Sequence, residues 1–314
     1  MVFHPAERTI ILVTGALAVA SALLIWWKGI VVGPDFFAFS IGFAALMIGI
    51  GQVYRQVRDS ERIALVTHVL GLYIGYTVFG ALFNTVLLPR PSAPIDATLV
   101  AIDAWLGYSW PAMCAWIAQY PLFNALSRVV YQLTLVQLLV AFILLGMVLD
   151  RRRLHAAALA MVIATLISIF FWALFPSGGA SAHWTLDPEI AKAANPLAGS
   201  AYGAEVNRLL REGVSDLSTL AVGGLIGLPS VHTVMGLVSL IAVWPYRVFR
   251  NGLLVFSIFL FPAILVHGGH HLVDVIAGAG VTAVSWILGL RIYDAQERRR
   301  PALRPAIIPE RAGA

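Results

Sequence analysis

Long apolar runs, broken by short clusters of arginine, dominate this chain and limit what it can fold into. Inside a bilayer every backbone N–H and C=O must be satisfied within the protein, so runs of this length become membrane-spanning helices. One crossing needs about 20 mostly apolar residues. Eight runs are candidates: roughly 9–27, 35–54, 63–88, 124–149, 155–175, 229–246, 252–268 and 270–291. The sixth and seventh are short, as expected where one helix end opens into a polar site. Charged residues make up 12% of the chain and mean hydropathy is +0.85, whereas a soluble domain carries about twice that charge. The expected fold is all-α, a polytopic membrane helix bundle of about eight transmembrane helices. The first run lacks a small-residue cleavage site and is read as a retained helix.

The arginines orient the bundle. With the N-terminus placed in the cytoplasm, fifteen of the 21 Lys and Arg residues fall on the cytoplasmic side and six on the outer side. Those six are Lys28, Arg90, Arg128, Lys192, Arg208 and Arg211. The bias holds at every short loop, so both termini are expected in the cytoplasm of a plasma or inner membrane. The net charge of +5 is spread between apolar runs, which points to topology and not to a nucleic-acid partner. Cys114 is the single cysteine, which excludes an internal disulfide and any multi-cysteine metal site. Three units are expected: an N-terminal two-helix hairpin over 1–62, a six-helix core over 63–293, and a basic tail over 294–314 that is disordered and anchors the topology.

Two long segments lie on the expected outer side. The first, 89–123, holds an amphipathic stretch over 95–120 with Asp96, Asp103, Trp105, Tyr108 and Trp110, and is expected to lie in the interface plane. Asp96 and Asp103 are read as structural, capping or pairing within that stretch. The second, 176–228, exceeds 50 residues; loops of that length are commonly lids or binding loops.

Chemistry concentrates in two motifs about forty residues apart, Leu228-Pro229-Ser230-Val231-His232-Thr233 and Gly268-Gly269-His270-His271-Leu272-Val273-Asp274. Topology places both at outer helix ends. His270 and Asp274, four apart, share one face if both are helical. A carboxylate bonded to one imidazole nitrogen fixes the tautomer and frees the other nitrogen as base or nucleophile. Pro229 suits a first helical turn, and the N-terminus it opens, with Ser230 and His232, favours an anion such as phosphate. Two histidines facing a phosphate can divide the labour: one attacks phosphorus, the other protonates the leaving oxygen. His271, three residues from Asp274, competes as its partner. A zinc site of His267, His270 and His271 is the rival use of these histidines, opposed by the roughly 100° divergence of adjacent helical side chains. Either motif alone has a structural explanation, as a cap or as an i,i+4 pair; their joint placement favours function.

The pair Pro229-Ser230-Val231-His232 and His270-His271-Leu272-Val273-Asp274 resembles the second and third signature motifs of the phosphatidic acid phosphatase type 2 superfamily. The resemblance covers roughly 63–293. It implies a six-helix membrane core and a metal-free reaction without cofactor. It also implies His270 as the nucleophile that forms a phosphohistidine, Asp274 as its orienting group and His232 as general acid. Ser230 and nearby backbone N–H groups would hold the phosphate oxygens. The first superfamily motif, Lys-x6-Arg-Pro, is absent, and Ala263-Ile264 stand where the third motif has Ser-Arg. Phe175-Pro176, Asp96 with Asp103-Ala104-Trp105-Leu106-Gly107, and Arg211-Glu212-Gly213 are similar to motifs of the subgroup containing inositol phosphorylceramide synthases. A phosphoryl transition state needs positive charge around its equatorial oxygens. Among the outer cations Arg211 is the first candidate for that substrate-binding role and Arg128 the second.

The function expected is phosphoryl transfer from a lipid phosphate at the outer face, to water or to an acceptor lipid as in a sphingolipid-headgroup synthase. A transporter or channel is the alternative from another class; it would need ionisable groups mid-span, where the runs offer little beyond His68 and the neutral polar Asn84 and Gln137. An inactive relative is the third reading, favoured by the missing cations and opposed by the retention of His232, His270 and Asp274.

Overall fold

The computed structural model describes residues 3–218 and 224–299. Residues 294–298, expected to belong to a disordered tail, instead continue the last helix, and the part beyond 299 lies outside the described residues. Fourteen helices occur among them. The apolar runs become α1 (Pro5–Lys28), α2 (Pro34–Gln56), α3 (Glu61–Val86), then α4 (Asp96–Trp105), α5 (Trp110–Ala118), α6 (Pro121–Gln132), α7 (Thr134–Met147) and α8 (Arg151–Leu174). The long outer segment holds α9 (Ala180–His183), α10 (Pro188–Ala194) and α11 (Ser200–Glu212), and the chain ends with α12 (Val231–Ala242), α13 (Arg247–Val266) and α14 (Leu272–Arg298).

Six of these, α1, α2, α3, α8, α13 and α14, are long and apolar enough to cross a membrane. The chain is thus a polytopic helical membrane protein. The expected fourth span is broken at Leu133 into α6 and α7, which meet at 55°; counted as one, the pair makes seven. The expected sixth span shrinks to the 12 residues of α12, about 18 Å at 1.5 Å per residue and too short to cross alone. The run 229–246 is apolar throughout, but Pro229 and Ser230 stand outside the helix and the chain turns after Ala242.

Helix α8 forms the axis. Its Leu154, Ala156, Ala157, Ala158, Leu159, Ala160 and Met161 are all buried. Small side chains on that face let α14 approach so closely that a Cβ at Gly289 would stand 2.5 Å from the Ala156 carbonyl. Around α8 the main core gathers Tyr73, Tyr76, Phe142, Leu138, Leu145, Val234 and Val238 from α3, α7 and α12. The connectors after α2, α7 and α12 share one end of the bundle with the start of α1 and the end of α14; there Arg152 meets Asp294 at 2.7 Å and the Tyr246 hydroxyl donates to Asp150 at 3.0 Å. The α4–α5 stretch and the α9–α11 segment cover the opposite end.

Candidate active site

Ser230 is the N-cap of α12, and its hydroxyl accepts from the Thr233 N–H at 3.4 Å. Pro229 therefore precedes the helix instead of opening its first turn. Helix α14 lies against this N-terminus: the Ser230 N–H donates to the Asp274 carbonyl at 3.0 Å, and a Cβ at Gly278 would come within 2.7 Å of the Ser230 carbonyl. The two motifs are thus brought together by main-chain contact.

His270 does not share a helical face with Asp274. Helix α14 starts at Leu272, His271 is its N-cap with extended backbone (φ −68, ψ 153), and His270 lies before it. Asp274 at the third helical position reaches back, so that its Oδ2 accepts from the His270 ring at Nδ1, 3.0 Å, and from the His271 N–H at 2.9 Å. A carboxylate only accepts, so Nδ1 carries the proton and Nε2 keeps its lone pair. That free Nε2 lies 3.4 Å from the Ser230 hydroxyl. The His232 ring stands 6.4 Å from the His270 ring and stacks on Tyr131 at 4.3 Å, with its Nδ1 3.5 Å from the Tyr131 hydroxyl. Gly268 admits the arrangement, because a Cβ there would meet the His270 ring at 2.8 Å and Tyr131 at 3.0 Å.

His271 is taken out of competition by the acidic residues of α4. Its Nδ1 lies 3.1 Å from Asp103 Oδ2 and its Nε2 3.4 Å from Asp96 Oδ1. Asp103 also accepts from the Leu272 and Val273 N–H groups, capping α14. Asp96 accepts from the Ser177 hydroxyl at 2.7 Å and from the Gly178 and Gly179 N–H groups at 3.0 Å each. The two aspartates are structural, as expected, but they reach across to α14 and the Phe-Pro turn instead of pairing within their own stretch. Burial raises the Asp96 carboxyl, but the His271, Gly178 and Ser177 hydrogen bonds outweigh it and hold the group below the usual range. Burial lowers the His271 imidazole, yet the surrounding carboxylates, Asp96 first, leave it above its ordinary value. Sequence reasoning missed this lock; the signal was two acidic residues seven apart in an otherwise apolar amphipathic stretch.

His267 turns elsewhere, with Nε2 3.3 Å from the Asn124 carbonyl. The three rings of the zinc reading thus face three different partners, and among the described residues no group of three or more potential ligands converges. Burial, aided by the Arg128 charge, pushes His267 down to about 4.

His270 opens into a cavity of about 180 Å³ whose walls include Tyr131, Gly178, Gly179, Ala198, Tyr202, Leu225, Ile226 and Gly269. The long segment is stapled over it by the Ala180 N–H to the Gly269 carbonyl and the Ala198 N–H to the His267 carbonyl. A second cavity, about 310 Å³ and mostly apolar, lies beside His232 between α3, α7, α8 and α12 and shares the wall Gly224-Leu225-Ile226. The expected cations are placed differently. Arg211 is exposed on α11 and lines neither cavity. Arg128 donates to the Asn195 carbonyl, beside His267. Arg90 and Lys28 cap α3, and Arg208 pairs with Glu205 and Glu212.

A polytopic helical membrane protein with an Asp-oriented histidine in one cavity, and a second histidine at a helix N-terminus in an adjoining cavity that shares a wall with it, carries groups suited to phosphoryl transfer. The sequence profile of the PAP2 superfamily matches residues 97–288, well over half of the chain, and the chain belongs to that superfamily. Its members are generally phosphatases, which suggests activity on phosphate esters. Neither a curated protein nor a solved structure matched the sequence.

Proposed function

We propose that this protein is a lipid phosphate phosphatase or phosphotransferase that works through a phosphohistidine on His270, without metal. The observation that carries the proposal is the His270 imidazole, fixed at Nδ1 by Asp274, with its free Nε2 directed at the N-cap of α12. A phosphoryl group that displaced the Ser230 hydroxyl from Nε2 would meet the first-turn N–H groups and the dipole of that helix. The His270 Nε2 lone pair attacks phosphorus and the bond from phosphorus to the leaving oxygen breaks. His232, protonated as the phosphate dianion enters its buried site, gives that oxygen its proton. A water or an acceptor hydroxyl then attacks the phosphohistidine, His232 takes the released proton, and the N–P bond breaks. Ser230 orients a phosphate oxygen. Arg128, held by one carbonyl next to His267, is the cation that would turn to the phosphoryl group; Arg211 is left as a surface residue.

Transfer to an acceptor, as in the inositol phosphorylceramide synthase-like subgroup, is the second reading. It is favoured by the apolar cavity beside His232, which would take the hydrocarbon of a hydroxyl-bearing lipid and leave little room for water. On this reading the site faces the outer side and the termini the cytoplasm, which the charge bias of the connectors supports. The test is turnover of labelled lipid phosphates by purified protein in micelles, in EDTA, with and without ceramide or diacylglycerol, beside His270→Ala. Free phosphate lost in the variant supports a phosphatase, and product formed only with acceptor supports a transferase. Loss of wild-type turnover in EDTA contradicts the metal-free mechanism.

A further inference from the structure

The hairpin α1–α2 lies outside the superfamily match, which begins at residue 97. Its connector is nonetheless bound to the wall of the site. The Val31 N–H donates to the Ser215 carbonyl at 2.9 Å, and the Leu217 N–H donates to the Val31 carbonyl at 2.8 Å. Lys28 donates to the Val86 and Leu88 carbonyls at the end of α3, both at 2.7 Å. Ile30 and Leu217 are buried in one cluster with Leu82 and Val86, and Val214 packs on it. Val214 packs equally on the neighbouring cluster, where Leu225 is buried against Leu88 and Trp172 and joined by Ile226. Leu225 and Ile226 line both cavities. A packed path therefore runs from the connector through Val214 to the shared wall of the site.

We infer that the α1–α2 connector is a positioning element of the active site, with Val31 acting through its main-chain bridge to Ser215 and Leu217. The Val31 side chain is 59% exposed, so its main-chain groups make the link. The wall carries two glycines, Gly224 at φ +68 and Gly227. Such a segment has many conformations to lose, and an anchor that restricts it lowers the ordering cost of each substrate encounter. A loosened wall raises KM and spares the chemical step.

The kinetic arm of the test rests on the proposed function; the second arm does not. Val31→Pro deletes the donor to Ser215, Val31→Ala keeps it, and Gly33→Ala would place a Cβ 2.7 Å from the Ser218 Cβ, displacing the same strand of chain. Amide exchange by mass spectrometry and turnover of a lipid phosphate are measured on the full chain in micelles. Val31→Pro and Gly33→Ala should speed exchange over 224–228 and raise KM about fivefold, the scale of one lost hydrogen bond, with kcat within about twofold. Val31→Ala should match wild type in both. Exchange that rises only over 214–218, or a fall in kcat at unchanged KM, overturns the inference. Should Val31→Pro not fold, Gly33→Ala decides alone. If wild type turns over no lipid phosphate, the proposed function fails, and unchanged exchange over 224–228 still overturns the coupling.

Discussion

His232 and His270 face different cavities although their rings stand 6.4 Å apart. That separation gives each a distinct kinetic signature. A general acid matters in proportion to how poor the leaving group is, and its removal typically costs 10²–10⁴-fold. His232→Ala should therefore slow hydrolysis of an alkyl phosphate by about that factor while leaving an aryl phosphate with an acidic phenol within about tenfold of wild type. His270→Ala should abolish both. Equal losses on the two ester types in His232→Ala would remove its role as the acid. The histidines were legible as chemistry because each sits beside Ser, Gly or Asp at the end of an apolar run. Which of His270 and His271 meets the Asp274 carboxylate with its ring was not, because the extended backbone at His271 replaces the helical geometry that spacing suggests.

At the scale of elements, the hairpin is clamped at the far end by a buried ionic cluster. Glu7 on α1 has no exposure; Arg55 on α2 donates to it at 2.9 and 3.2 Å, and the His4 N–H at 2.7 Å. His155 on α8 and His68 on α3 stand 3.5 and 4.0 Å from the same carboxylate. His4 stacks on His155 at 4.3 Å and lies 2.8 Å from Glu297 of α14. Four helices thus meet at one carboxylate, and His4 ties in a fifth, α14. Removing one partner of a buried pair leaves the other charge uncompensated, a loss of about 3–5 kcal/mol. Arg55→Met should lower thermal stability in micelles on that scale, and an unchanged melting temperature would show that the cluster is not holding the hairpin. His68 was visible in the sequence as a polar residue in a span. Its neighbours were not, since Glu7, Arg55 and His155 read as ordinary helix-end residues until the fold converged on them.

At the scale of the molecule, the Asp96–His271–Asp103 lock joins the outer segments to the bundle and makes stability depend on pH. The Asp96 value is depressed, so its contribution is present above the ordinary carboxylate range near 4 and is lost as pH falls through the depressed value. The His271 value is raised, so its contribution is complete below about 6.5 and is lost as pH rises through the raised value. The difference in melting temperature between wild type and His271→Gln should be greatest between about pH 4 and 6.5 and shrink toward alkaline pH. A difference that stays the same from pH 6.5 into the alkaline range would mean that His271 does not carry charge in the folded protein.

Helix content, the membrane setting and the position of both histidine motifs at helix ends were determined by the sequence alone, because hydropathy and basic clusters act locally and need no partner. The tertiary structure decided where those helices break. Leu133 splits one apolar run and α12 is cut to 12 residues, although hydropathy runs on through both breaks, so hydropathy does not set where a buried helix ends. It also decided which acids and cations serve the site. Asp96, Asp103, Arg128 and Arg211 looked alike as outer-side charges, and only long-range packing separated the two that lock α14 from the one beside His267 and the one left on the surface. Contacts between His271 and acids 168 and 175 positions away leave no periodicity for a sequence to display.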